Sequence, residues 1–180
     1  MIYVFLAKGF EEIEAITPID LLRRCDLDVT TVGIGGKSIV GAHGITIHTD
    51  IRDDELVLGD DTQMIVLPGG MPGTLNLEKS PAVQSAVDFC IQNSKYVAAI
   101  CAAPSILGNK GPLKGKKATC FPGFESTLKD AIVTDECLCV DGNIITAKGP
   151  GAAIDFSLEL VSLLTSADRS KTLKDSLQCL

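Results

Sequence analysis

An apolar run, Tyr96-Val97-Ala98-Ala99-Ile100, ends on Cys101 and passes at once into Ala102-Ala103-Pro104. A strand that stops on a nucleophile and turns through small residues into a proline-led helix has the sequence form of a nucleophile elbow. The sharp turn lifts the thiol over the end of a sheet, where backbone N–H groups face any oxyanion that forms. A helix N-terminus beside the thiol predicts a pKa below its free value of roughly 8.5. On this reading Cys101 is a nucleophile, the most acidic of the seven cysteines, and the first to be oxidised by peroxide, with sulfinate as the product. The competing reading is a buried cysteine acting as a small hydrophobe. A second strand pattern, Met64 to Leu67, runs into Pro68-Gly69-Gly70-Met71-Pro72-Gly73, a composition that demands a tight loop. If the two strands are neighbours, the N–H groups of Gly70 and Ala102 point at one oxygen.

Holding two such strand ends together calls for an open parallel sheet, in which ligands bind beyond the carboxyl ends of the strands. The periodicity predicts a strand over 2–7, a helix from about Glu11 to Cys25 and a strand from Val29 to Ile34, a βαβ opening. Gly35 and Gly36 then lead into a hairpin pairing 38–41 with 45–48. A helix from Pro81 to about Asn93 precedes the elbow strand, and 118–121 reads as a short strand. Cys137–Val140 and Ile144–Thr146 read as a hairpin around Asp141-Gly142-Asn143. Gly149-Pro150-Gly151 opens a helix to about Leu164, and the polar tail from Ser166 has a weak helical pattern.

A chain of 180 residues fits a single domain with a core of its own. Hydrophobic residues make up 46% of it, with 17 glycines and no tryptophan, which suits an aliphatic parallel sheet covered by helices, an α/β class. The net charge of −7 repels phosphate backbones and no basic run overrides it, so neither nucleic acid nor an anionic membrane is expected as a partner. The opening apolar run lacks a basic flank and is too short for a signal peptide or a membrane span. Cys25, Cys90, Cys101, Cys120, Cys137, Cys139 and Cys179 form no CxxC pair and have no histidine at ligand spacing, so reduced thiols, a cytoplasmic setting and no metal are expected. Cys137 and Cys139, two apart in a strand-like stretch, are expected to share one face.

Taken together, Ala7-Lys8-Gly9-Phe10-Glu11-Glu12-Ile13-Glu14, Leu67-Pro68-Gly69-Gly70, Ala98-Ala99-Ile100-Cys101-Ala102-Ala103-Pro104 and Lys148-Gly149-Pro150-Gly151 resemble the ThiJ/PfpI superfamily, in its parkinsonism-associated deglycase branch. The resemblance spans about 2–164. It implies a flavodoxin-like sandwich, a mostly parallel sheet with helices on both faces, usually a homodimer, with no organic cofactor. By matching position it gives Cys101 the nucleophile's role, Gly70 and Ala102 the oxyanion-hole amides, and Glu14 the carboxyl beside the sulfur. Periodicity does not choose between Glu12 and Glu14, because both share apolar helix faces. It does show a first helix apolar almost all round, as expected if a second subunit covers the side away from the sheet.

The same resemblance implies a substrate class: reactive dicarbonyls such as methylglyoxal, or their early adducts on protein. Cys101 attacks the aldehyde, Glu14 moves protons, and hydrolysis releases a hydroxy acid, as glyoxalase or as deglycase. The alternative is a redox sensor or chaperone that signals by oxidation of Cys101 without turnover. The chain departs from its relatives in three places. Ala102 replaces the histidine of the protease-like members. Phe121 stands where members of the closer branch carry histidine. His43 stands where relatives have an arginine near the dimer-related site, so His43 and Arg24 are candidate substrate or dimer contacts.

Overall fold

The first strand, β1 (Ile2–Leu6), is buried along its length and splits its side chains between two cores. Ile2, Val4 and Leu6 face one layer, while Tyr3 and Phe5 face the other. The same alternation divides Met64 and Val66 from Ile65 and Leu67 in β6 (Met64–Leu67), and Ala98 and Ile100 from Val97 and Ala99 in β7 (Tyr96–Ile100). A period of two with both faces apolar is what a sheet covered on both sides requires. The computed structural model describes residues 1–179.

Seven strands form the central sheet. Besides β1, β6 and β7 they are β2 (Val29–Gly33), β5 (Ile51–Arg52), β10 (Leu138–Asp141) and β11 (Ile144–Ala147), in the order β10-β11-β7-β6-β1-β2-β5. All neighbours are parallel except β10 and β11. The chain winds outward from β1 in one direction and from β6 in the other, so strand order reverses between them, the place where such sheets bind ligands. β6 and β7 are direct neighbours, with Leu67 level with Ala99. The two strand ends singled out by sequence therefore lie side by side.

On one face pack α1 (Glu12–Arg24), α5 (Ala153–Leu164) and α6 (Ala167–Ser176), through residues such as Ala15, Leu22, Phe156 and Leu173. On the other lie α2 (Gly73–Lys79), α3 (Pro81–Gln92) and α4 (Pro104–Lys110), through Leu77, Val87, Ile106 and Leu107. Pro81 and Pro104 each open a helix, where a missing N–H costs nothing. No helix among the described residues is long and apolar enough to cross a membrane.

The expected hairpin forms as β3 (Ser38–Val40) paired with β4 (Thr46–His48), a two-stranded sheet of its own, and the following β5 joins the main sheet. Other elements differ from the sequence reading. The strand expected at 118–121 is just β8 (Lys117–Ala118), paired with β9 (Ile132–Val133). Helix α2 was not anticipated, since it starts on a glycine straight after Pro72 and has no side-chain cap. Cys137 precedes β10 and is exposed, whereas Cys139 is buried within it, so the two do not share a face.

Candidate active site

Cys101 directly follows β7 with φ of +66°, in the left-handed region that non-glycine residues rarely occupy. The conformation costs on the order of 1–3 kcal/mol and persists only where surroundings over-determine it. Here they do: Cys101 N–H donates to the Ala147 carbonyl at 2.8 Å, and the Cys101 carbonyl accepts from Phe121 N–H at 2.8 Å. The turn leaves the thiol 9% exposed, facing the β6 loop.

That loop brings two glycines against it for different reasons. Gly70 has φ of +87°, and a Cβ there would collide with the backbone at Glu11, Gly9 and Phe10. Gly69 has no such conformational demand, but a Cβ on it would lie 2.7 Å from the Cβ of Cys101 and 2.7 Å from Glu14 Oε2. The Gly70 and Ala102 N–H groups both act on the Cys101 thiol, favouring its ionised form. The two amides named from sequence thus bear on the same sulfur.

Glu14 reaches the same place from the first turn of α1 and is fully buried. Its Oε2 accepts the Gly69 N–H at 2.9 Å, and its Oε1 is buried without a partner. Glu11 positions it, because the Glu11 side chain caps α1 by accepting the Glu14 N–H at 2.8 Å. Glutamate is a weak capping signal beside serine or aspartate, and sequence reading passed over it. It passed over Gly69 as well, whose smallness and N–H serve Glu14.

Burial raises the Glu14 carboxyl to about 7, against the hydrogen bonds from Cys101 and Gly69 and with help from the charge of Glu11. For Cys101 the expected depression is overturned. Burial first, then the charge and hydrogen bond of Glu14, push the thiol up to about 12, while the Ala102 and Gly70 amides pull the other way without cancelling them. The first residue of α4 is Pro104, three positions past the sulfur, so the helix terminus acts at a distance. At rest Cys101 is no more acidic than the buried Cys90, also pushed up to about 12. Thiol and carboxyl titrate as a pair, and the pair sheds its first proton near neutrality.

Residues 1–163 match the pattern of the DJ-1/PfpI family. The chain belongs to that family. It is 34% identical to the Parkinson disease protein 7 homolog of Danio rerio over 175 residues, 95% of this chain and 93% of that protein. It is 33% identical to a Thermococcus kodakarensis protein named as a deglycase over 167 residues, 91% of this chain and 98% of the other. The crystal structure of Drosophila melanogaster DJ-1beta superposes with a TM-score of 0.93 at 31% identity, covering 99% of this chain and 97% of that one.

Within this DJ-1/PfpI chain the remaining candidates separate. Glu12 turns away from Cys101 toward the β3–β4 hairpin. Its Oε1 accepts the His43 N–H at 2.8 Å and the Ile45 N–H at 3.4 Å, and its Oε2 meets His43 Nδ1 at 2.8 Å. Burial works to raise the Glu12 carboxyl, but these bonds carry it below its usual value, and they raise His43. Glu11, Glu12 and His43 are the group of possible metal-ligating side chains among the described residues, with ligand atoms within 4.8 Å of one another. Both Glu12 oxygens are already engaged in clamping the hairpin. Arg24 lies at the far end of α1, ten residues on and roughly 15 Å from Glu14 by helical rise, and pairs with Asp20 at 2.8 Å. The structure does not bring it to the thiol.

Proposed function

We propose that this protein is a cofactor-independent enzyme that attacks reactive α-oxoaldehydes, or their early adducts on protein, through Cys101. The observation that carries this reading is the convergence on one sulfur of two amides, Gly70 and Ala102, and a buried carboxyl, Glu14, that titrates near neutrality. The kinship with a protein named as a deglycase supports the substrate class.

In the reaction the single proton of the pair moves from sulfur to Glu14 as the sulfur attacks the aldehyde carbon, and the buried acid returns it to the new alkoxide. The Gly70 and Ala102 N–H groups, which act on the sulfur at rest, serve that oxyanion. The product is a hemithioacetal. Glu14, whose Oε1 has no other partner, removes the proton from the former aldehyde carbon to give an enediol and returns it to the neighbouring carbon, while the hydroxyl proton on the former aldehyde carbon passes to the neighbouring oxygen. This leaves a thioester of the hydroxy acid, and water cleaves it to free acid and thiol. One dicarbonyl and one water yield one hydroxy acid, with no net oxidation.

A homodimer belongs to this reading. Ile13 on the outer face of α1 is 52% exposed and Ile16 is 37% exposed. A second copy covering them would remove apolar surface from water. The test of the function is stoichiometric formation of lactate from methylglyoxal by purified protein, without glutathione or added metal. Disappearance of aldehyde without hydroxy acid would instead mean simple adduct formation on thiols and amines.

A further inference from the structure

Phe121 stands beside the site in a way the chemistry above does not require. Its backbone is tied to Cys101 through the 2.8 Å bond to the Cys101 carbonyl, yet the residue is 43% exposed. The ring lies against Gly149, where an added Cβ would sit 3.1 Å from Phe121 Cδ2 and 3.9 Å from Glu14 Oε1. A methyl group on Gly149 would thus press on the ring and come within 3.9 Å of the unpartnered oxygen of the buried acid. Met71, directly after Gly70, is also 43% exposed. The loops after β6 and β8 thus each carry an exposed apolar side chain.

We propose that Phe121 is a specificity-determining residue that selects α-oxoaldehydes bearing an aromatic or other apolar substituent over glyoxal and methylglyoxal. This rests on the reading of Cys101 as the thiol that attacks the aldehyde. With the aldehyde carbon at the sulfur and its oxygen at the amides of Gly70 and Ala102, the second carbonyl lies by Glu14 Oε1. Its substituent then extends past Gly149 toward the ring. An aromatic contact there, together with the apolar surface it removes from water, is worth about tenfold in kcat/KM. Phe121 has no proton to give or take, so its contribution falls on KM.

The experiment compares phenylglyoxal with methylglyoxal as substrates for the native protein, Phe121→Ala and Phe121→Tyr. The ratio of kcat/KM values should favour phenylglyoxal in the native protein, fall about tenfold in Phe121→Ala through KM, and survive in Phe121→Tyr, which keeps the ring. A native ratio at or below one, or one unchanged in Phe121→Ala, overturns the inference while leaving the proposed function intact. Protection of Cys101 from iodoacetamide by benzoylformate and by pyruvate, read by peptide mass, reports the same contact without turnover. Preferential protection by benzoylformate that is lost in Phe121→Ala supports the inference even if neither aldehyde is consumed, a result that would defeat the proposed function alone. Equal protection by the two acids in the native protein overturns the inference.

Discussion

Cys101 and Glu14 meet across a gap that only glycine can span: a Cβ on Gly69 would sit 2.7 Å from both the Cys101 Cβ and Glu14 Oε2. The backbone of Gly69 is not in the left-handed region, so its neighbours alone exclude a side chain. Gly69→Ala is predicted to lower stability by about 1–3 kcal/mol through overpacking and to cut kcat/KM at least a hundredfold by parting acid from thiol. Gly36, with nothing within 4 Å of an added Cβ, is the control. Calorimetry and kinetics on Gly69→Ala and Gly36→Ala check this, and a fully active Gly69→Ala would show that the close approach is not needed.

The shift of Glu14 makes a stability prediction. Its folded pKa of about 7 lies above the ordinary carboxyl value of 4.5, so the native state prefers the protonated acid. That contribution is complete below about pH 4.5 and is lost as pH rises through 7, with a slope of up to about 1.4 kcal/mol per pH unit inside the window. Glu14→Gln lacks the titration. Its stability relative to the native protein should therefore rise from pH 5 to pH 8, as read from denaturant midpoints, and a difference flat with pH would contradict the burial argument.

Catalysis should follow the same proton. The reactive form of the Cys101–Glu14 pair holds one proton, so kcat/KM should climb with pH through an apparent pKa near 7. Glu14→Gln should lose that limb and about a hundredfold or more in rate. An identical ascending limb in Glu14→Gln would assign the pH dependence to another group.

Glu12 is predicted to serve structure. Glu12→Gln weakens the clamp on the β3–β4 hairpin, so amide exchange at His43 and Ile45 should quicken while kcat/KM changes less than about threefold. The clamp has a pH signature of its own. The support from His43 is complete below its ordinary pKa of 6.5 and fades as pH rises through the raised value. The support from Glu12 is present above pH 4.5 and fades as pH falls through its lowered value. If Glu12→Gln abolishes activity and Glu14→Gln does not, the roles are reversed.

The elbow and the glycine loop were legible because small residues, proline and glycine impose local geometry, and because parallel strands betray themselves as apolar runs. The class of the fold followed from that, whereas the adjacency of the two strand ends was only a condition until the sheet order supplied it. The division of labour between Glu12 and Glu14 was not legible, since the two are equivalent by helical periodicity. They are told apart only by the hairpin, which returns 31 residues after Glu12 to take its carboxylate. The direction of the Cys101 shift was missed for the same kind of reason. A helix terminus is visible in local sequence, but burial and Glu14 come from elsewhere in the chain and outweigh it. Arg24 shares a helix with Glu14, and only the length of α1 shows that it is too far along to join it.

Lactate formation from methylglyoxal by the native protein, Cys101→Ser and Cys90→Ser tests the central claim most directly. Cys90 is a fully buried thiol in the opposite core. The account predicts a folded Cys101→Ser with activity down at least a thousandfold, because a hydroxyl is a far weaker nucleophile, and a Cys90→Ser close to native. A folded Cys101→Ser or Cys101→Ala that makes lactate at the native rate would contradict it and return Cys101 to the role of a small buried hydrophobe.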